Sequence, residues 1–575
     1  MADRARSRFV LVVIGALAFA VVVALVLPFG TALVLRPMAR EKVIELLEQR
    51  FDEVELEKLD IRFAPGASWI PGISATGTGL SVSLEGREDA PPFIAMSEFE
   101  GELSLLGLMR DPIRVRRLRL AQLEIQIPPK QPGNADRESK QAGDPPPVFV
   151  IEELIADGAM LRIHPKNPEK DPLQYDLHEL RVLSAGISEP MRFDALLDNA
   201  KPPGKIDTKG EFGPLSISDP GASPVSGGYV FENADLSVFG GIGGILRSEG
   251  RFDGVLERLS VSGFTEMPDF QLKSVGNPVH LRTEFDAVVD GTNGNTLLVP
   301  VNAVLEGSRF ETQGGVAHVP GGPKGKTVCV DAEGTDVRIE DFLRLAMKSA
   351  QPFMTGDLRF RSMVRIPPGD VDVVHKLILD GEFAIESALF PESKVQEKVD
   401  QLSDAGTPGN GERDALAPIR DERVFSGMRG DFELKDGVLK LSRLSFTVPG
   451  ASVTMQGTYG LKNENIDFRG ELRLDAKLSE TTSGLKSFLL KLVDPLFKTK
   501  DAGAVIPIRL SGTPDKPSFG VEVGRVLSGE EVTSPARGPA STGDGFQKSI
   551  PSCSDVLELE ARDPTPAPQS TSAHR

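Results

Sequence analysis

The sequence predicts a mainly β protein, a long antiparallel sheet with an N-terminal transmembrane helix and a few short amphipathic helices. Three observations carry this. Apolar residues recur at every second position through most of the chain, as in DFELKDGVLKLSRLSFTVPGASVTMQGTY (431–459), which is the period of a half-buried strand. Gly, Pro, Asn and Asp punctuate these runs where turns are needed. One uninterrupted apolar run stands near the N-terminus, and helical spacing is otherwise confined to short stretches.

The chain has 575 residues, too many for one ordinary compact domain, so several modules or one extended architecture are expected. Lys and Arg number 65 against 83 Asp and Glu, a net charge of −18. A strongly acidic chain without a basic stripe is not built for nucleic acid. The mean hydropathy of −0.13 excludes a polytopic membrane protein. Aromatic residues are mostly Phe, 30 against 3 Tyr and 1 Trp, which suits apolar lining better than polar recognition.

From the N-terminus, Arg4, Arg6 and Arg8 mark residues 1–8 as cytoplasmic, and the run over 9–29 is long enough to cross a hydrocarbon core of about 30 Å. A cleaved signal peptide is the alternative, but TALVLRPMAR offers no small-x-small cleavage site. The expected topology is a single-pass membrane protein with the bulk of the chain outside the cytoplasm. Pro37 then opens MAREKVIELLEQRF, with Ile44, Leu47 and Phe51 on one helical face.

Strand patterns follow in LDIRF (59–63), GLSVSLEG (79–86), EFEGELSLLGL (98–108), VRRLRLAQLEIQIP (115–128) and VIEELIADGAMLRIH (150–164). They place a first helix and β region at 30–130, a disordered Pro-rich loop at 131–147 and a middle β region at 148–390. Within the middle region, strands are expected at 226–240, 251–264, 279–291, 295–319, 326–339, 357–366 and 376–390, with a short helix at 340–350. A flexible loop at 391–420, opening with a helical stretch, precedes the last β block at 421–527. A Pro- and Ser-rich tail at 528–575 is expected to be disordered, with VLELEARD as a potential short helix on a partner.

In the last block, Phe432 and Leu434 share a face and Asp436-Gly437 supplies a hairpin turn. Leu439 and Leu441 continue in one register; Leu444, Phe446 and Val448 take the next. Pro449-Gly450 turns the chain again, and Val453, Met455, Ile466, Phe468, Leu472 and Leu474 repeat the scheme, as do Ile506, Ile508 and Leu510. Such strands make a meander with one apolar and one wet face. A sandwich or barrel would cover the apolar face internally, whereas a long curled sheet would leave a trough suited to acyl chains. The pattern itself leaves both open.

Catalytic motifs fail on inspection. GGPKGKT (321–327) lacks the first Walker glycine, having Pro320 there, and runs into a strand rather than a helix. FGGIGGILRSEG lacks the GxGxxG spacing. The histidines (164, 178, 280, 318, 375 and 574) are scattered, and Asp331 and Glu333 are ordinary acids on a wet strand face. Cys329 and Cys553 form no CxxC or Cys/His cluster; a disulfide between them stays open. No enzyme, cofactor or metal is expected.

The order of elements resembles the AsmA-like family of envelope proteins. The resemblance rests on the anchor, the amphipathic helix, FDEVELEKLDIRFAPG, EFEGELSLLGL and RRLRLAQLEIQIP with its echo VIEELIADGAMLRIH. It is closest in MRGDFELKDGVLKLSRLSFTVPGASVTMQGTYGLKNENIDFRGELRL and the closing VIPIRLSGTPDKPSFG. It covers about 30–130 and 421–522 well, and the middle by strand pattern alone. The resemblance implies a single-pass bacterial inner-membrane protein with its bulk in the periplasm, whose long curled, taco-like β-groove shields phospholipid acyl chains during transport or outer-membrane biogenesis. The alternative is an envelope scaffold or regulator of outer-membrane protein assembly, working through contacts with other envelope proteins. The candidate groove lining is Phe99, Leu103, Leu105, Phe432, Leu434, Leu444, Phe446, Val448, Phe468, Leu472 and Leu474. A candidate membrane-contact helix at 484–500 presents Leu485, Phe488, Leu489 and Leu492 beside lysines; a helix capping the sheet is the other reading.

Overall fold

The computed structural model describes residues 53–64, 72–83, 91–104, 113–129, 149–165, 172–185, 190–213, 224–319, 321–391, 426–475 and 505–521 except 515. It also describes parts of 396–403 and 546–557, and the single residues 41, 44 and 424. The chain divides into two compact units, one of Met1–Val238, Ile245–Thr265 and Phe285–Thr296, the other of Phe239–Gly244, Glu266–Glu284 and Leu297–Arg575.

In the first unit the strands are β1 (Glu53–Ala64), β2 (Gly72–Ser83), β3 (Ile94–Ser104), β4 (Ile113–Ala121), β5 (Glu124–Ile127), β6 (Phe149–Ile163), β7 (Leu173–Ala185), β8 (Met191–Ala200), β9 (Pro203–Phe212) and β10 (Pro224–Asp235). After the short β11 (Ile242–Gly243), which belongs to the second unit, β12 (Ile245–Val255) returns to the first. β13 (Arg258–Leu272), β14 (Val279–Asp290) and β15 (Asn295–Leu305) have residues in both units. The second unit continues with β16 (Ser308–Ala317), β17 (Thr327–Arg338), β18 (Asp357–Ile366), β19 (Ile378–Ala388), β20 (Ser426–Lys435), β21 (Val438–Val448), β22 (Ala451–Gly460), β23 (Ile466–Leu474), β24 (Val505–Thr513) and β25 (Lys516–Val521). Its helices are α1 (Ile339–Ala346), α2 (Val373–Lys376) and α3 (Cys553–Leu557).

The expected antiparallel meander is present, with one exception. In the first unit β1, β2 and β3 pair in order. The continuous pattern at 115–128 breaks at Gln122 (φ 51°) into β4 and β5, which both pair with β3 on one side and run parallel to β6 on the other. From β6 the order is antiparallel through β7, β8, β9 and β10 to β12. In the second unit β16 to β25 pair consecutively and antiparallel.

The predicted hairpin forms: Asp436 (φ 53°) and Gly437 (φ 73°) are both left-handed, as a type I′ turn requires, and Lys435 faces Val438. The change of apolar register between Leu441 and Leu444 is a β-bulge. Both neighbouring strands slip by one residue there, which keeps Leu439, Leu441, Leu444, Phe446 and Val448 on one face.

The helical part of the predicted fold is corrected. No helix among the described residues is long and apolar enough to cross a membrane; α1, α2 and α3 have 8, 4 and 5 residues. The anchor expected at 9–29 and the contact helix expected at 484–500 lie outside the described residues. Membrane anchorage and the single-pass inner-membrane location are therefore withdrawn.

Aromatic rings lie across glycines of the neighbouring strand throughout both units. Phe99 faces Gly77, Phe252 faces Gly227, Phe360 faces Gly334, Phe432 faces Gly381 and Phe468 faces Gly457. A Cβ at Gly77 would stand 2.2 Å from the Phe99 ring, and one at Gly381 2.4 Å from that of Phe432. The missing side chain gives the ring room to lie on the backbone, and the ring covers the exposed peptide groups in return.

On the opposite side of the first unit, Glu153 on β6 ties β4 to β7. Its carboxylate accepts from Arg117 Nε at 2.8 Å and from Arg181 Nε at 2.8 Å. The Arg117 hydrogen bond, then that from Arg181, holds the Glu153 carboxyl below its ordinary pKa.

Two predictions follow from this packing. Gly77→Ala will destabilise the protein by about 1–3 kcal/mol, because the Phe99 ring is 3 % exposed and has nowhere to swing. Gly520→Ala, with nothing within 4 Å of the added carbon, will change stability by less than about 0.5 kcal/mol; thermal melts compare the two. For Glu153, a lowered folded pKa means stabilisation that is present above the ordinary value of 4.5 and lost as pH falls through the lowered one. The denaturation midpoint of Glu153→Gln will therefore lie below wild type at neutral pH and converge on it in acid.

Candidate binding face

Each strand puts its charges on one side and its apolar residues on the other; what differs along the chain is how the apolar side is covered. In the second unit, short connecting segments seal it. Ile339, Phe342 and Leu343 of α1 pack on Phe310, Phe360, Leu358 and Ile385, with the Phe342 ring 5.3 Å from Phe360 and 5.5 Å from Phe310. Val373 and Val374 of α2 pack with Leu434 and Leu461. Asp372 caps this helix by accepting from Val374 N at 2.9 Å. Val399 and Leu402, on the helical residues of 396–403, cover Phe446, Val453, Leu474 and Ile506. Gln396 holds that segment in place, accepting from Phe390 N at 3.1 Å and donating to Val424 O at 3.0 Å.

The residues expected to line an open groove therefore sit mostly inside a core. Phe99, Leu434, Leu444, Phe446, Val448, Phe468 and Leu474 are all buried. Phe432 and Leu472 are half-buried. Leu103 lies on β3 opposite Val115, while Leu105 and the four apolar residues of 484–500 fall outside the described residues. The register does bring the second-unit members to one common face. Lipid acyl chains and an inner-membrane contact, as partners of that face, are withdrawn, because the protein's own side chains fill it and no membrane-spanning helix is among the described residues.

An accessible apolar face lies instead on β7–β10 and β12 of the first unit, a stretch where the alternation gave no strand between 165 and 225. Its rows follow from the register. Val182, Phe193, Gly210, Gly227 and Phe252 form one row, and Leu180, Ala195, Thr208, Tyr229 and Gly250 the next. Leu177, Leu197, Ile206, Phe231 and Ser248 form a third. Apart from the buried Ala195 and Ser248, all are half-buried. On β9 the contrast is strict: Lys205, Asp207, Lys209 and Glu211 are exposed, while Ile206, Thr208, Gly210 and Phe212 are half-buried.

Polar groups on this face are few and neutral. The Tyr229 hydroxyl and Ser248 Oγ are 3.1 Å apart, and Ser248 Oγ also lies 3.1 Å from Phe264 O, to which it donates. Burial raises the pKa of both Tyr175 and Tyr229, the Ser248 contact partly offsetting it for Tyr229. Both phenols therefore stay uncharged at neutral pH. On the reverse side the charges pair across strands, Lys209 with Asp194 at 3.1 Å and Arg192 with Glu211 at 3.6 Å.

Elsewhere in the first unit an open cleft of about 600 Å³ is lined by Glu55, Glu57, Glu124, Ser97, Gln122 and Met160 among others. Glu55 and Glu57 are exposed, and the Ser97 hydroxyl is committed to Ala121 O at 3.1 Å. Among the described residues no group of three or more His, Cys, Asp or Glu is arranged to hold a metal.

No family model, no curated protein and no solved structure matches the chain.

Proposed function

We propose that this chain is a non-enzymatic binding protein that holds an uncharged apolar guest against the aromatic face of β7–β10 and β12. The carrying observation is the contrast in cover. The second unit packs α1, α2 and 396–403 onto its apolar face, whereas Phe193, Tyr229, Phe231 and Phe252 are half-buried on a face for which the described residues supply no such helix.

Binding of this kind draws on area rather than chemistry. Removing about 200 Å² of apolar surface from water is worth about 5 kcal/mol. Rings already settled on glycines, Phe252 on Gly227 and Tyr229 on Gly250, lose little freedom when a guest arrives. With no charged group in the three rows, a charged guest would lose its hydration without compensation.

The test is fluorescence titration with an uncharged apolar dye such as N-phenyl-1-naphthylamine. Phe193→Asp and Phe252→Asp will each weaken dye binding by about tenfold or more, equivalent to about 1.4 kcal/mol, with melting curves retained because both positions are half-exposed. Equal dye affinity in wild type and both variants would sink the proposal.

A further inference from the structure

The outer, polar face of the second unit carries one feature that its strands do not explain. Residues 546–557 lie across β16–β20, tied by a disulfide between Cys553 and Cys329 of β17, 224 residues apart. Beneath them is an apolar island on an otherwise charged face: Ala317, Cys329 and Met363 are buried there against Ile550, Val556 and Leu557. Asp331 accepts from Ser552 Oγ at 2.9 Å and from Cys553 N at 3.1 Å.

Lys548 makes the second anchor. Its amino group pairs with Asp380 and donates to Phe432 O at 3.1 Å, joining β19 to β20. Its backbone N donates to Glu382 at 3.0 Å, and its carbonyl accepts from Arg361 at 3.0 Å. Arg361 in turn pairs with Glu382 at 2.7 Å and sits 5.9 Å from the Phe546 ring centroid.

We propose that residues 546–557 are a redox latch: the disulfide holds them over this acidic and apolar surface, and reduction by a dithiol releases them and presents it. After reduction the segment is held by the packing of Ile550, Val556 and Leu557 and by the polar ties of Lys548, Ser552 and Cys553, without the covalent tether that keeps it in place when those contacts open. One reductant thiolate attacks Cys553 Sγ, the sulfur–sulfur bond breaks, and Cys329 Sγ leaves and takes a proton. The second reductant thiol displaces Cys553 as a thiol, so two electrons and two protons pass from the dithiol, which becomes a disulfide. Neither Cys329 nor Cys553 has exposed surface, so attack waits for the segment to lift, and Lys548 sets how often it does. The latch is closed wherever the surroundings are oxidising.

The experiment uses the full chain, oxidised or treated with dithiothreitol, with trypsin cleavage after Lys548 as the reporter. Complete reduction, verified by alkylation of both thiols, will raise cleavage there about tenfold or more, as expected for a segment that has become open, while the far-ultraviolet strand signal is unchanged. Cys553→Ser will show the same high cleavage without reductant. Lys548→Ala, followed by alkylation, will shorten the reduction half-time several-fold. Unchanged cleavage at Lys548 after full reduction overturns the latch. Loss of the strand signal on reduction also overturns it, making the disulfide a staple of the fold. An unaltered half-time in Lys548→Ala overturns the role given to that lysine.

Discussion

An apolar sheet face in water has to be covered, and the connections between strands decide what can cover it. In the second unit the covers come from the chain between successive strands. α1 follows β17, α2 precedes β19, and the helical residues of 396–403 precede β20. Each drops two or three apolar side chains onto the face its own strands create. At about 1.5–3 kcal/mol for a fully buried large side chain, such a lid is favoured wherever the connection is long enough to reach. Between β8 and β9 the connection is two residues, and between β7 and β8 it is residues 186–190. A two-residue turn is too short to supply a lid of that kind, so β8 and β9 get no cover from the connection between them.

The opposite faces obey a different constraint. Their charges stand in cross-strand pairs, Lys209 with Asp194 and Arg509 with Asp467 among them. Exposed pairs of this sort are worth little individually, about 0–1 kcal/mol. Their use is to fix register, since a one-residue slip would turn charges toward the apolar side, and to keep a chain of net charge −18 from sheet-to-sheet association. Where an acid is drawn inward the structure supplies full coordination. Asp341, 1 % exposed, accepts from Arg338, Ser308 Oγ and Gly307 N. Glu382, 4 % exposed, is met by Arg361 and by the backbone of Lys548.

These constraints explain which parts of the structure were legible. The last block reads clearly because its alternation is strong, its turns carry Asp-Gly and Pro-Gly, and its one bulge leaves a visible phase change at Leu444. β7 hid itself because the bulge between Leu177 and Glu179 interrupts the period. β9 hid because Thr208 and Gly210 occupy apolar-face positions, where a search for large hydrophobics does not register them. The Cys329–Cys553 bridge had no local signal at all: 224 residues separate the partners, and the segment bearing Cys553 has the composition of a solvated tail. Its order comes from contacts with Asp331, Asp380 and Glu382, which a linear pattern does not display. The anchor reading had a clear sequence basis in the run at 9–29, but that run lies outside the described residues and the helices that are described are short.

The ring-on-glycine device makes the last point general. Phe468 across Gly457 and Phe252 across Gly227 are the same arrangement on the same kind of strand. Yet the first is 7 % exposed inside the second unit and the second is half-buried at an accessible surface. The local sequence of either strand specifies the ring, the glycine and the face, and therefore the affinity of that face for apolar matter. Whether that affinity is satisfied by the chain itself or left for another molecule is settled elsewhere, by segments such as α1 and 396–403 that belong to no strand. Lining residues chosen for apolar character alone consequently gather core and binding surface together. A binding face is identified by the absence of a lid of the protein's own making, and among the described residues no helix like α1 or α2 follows or precedes β7, β8 or β9.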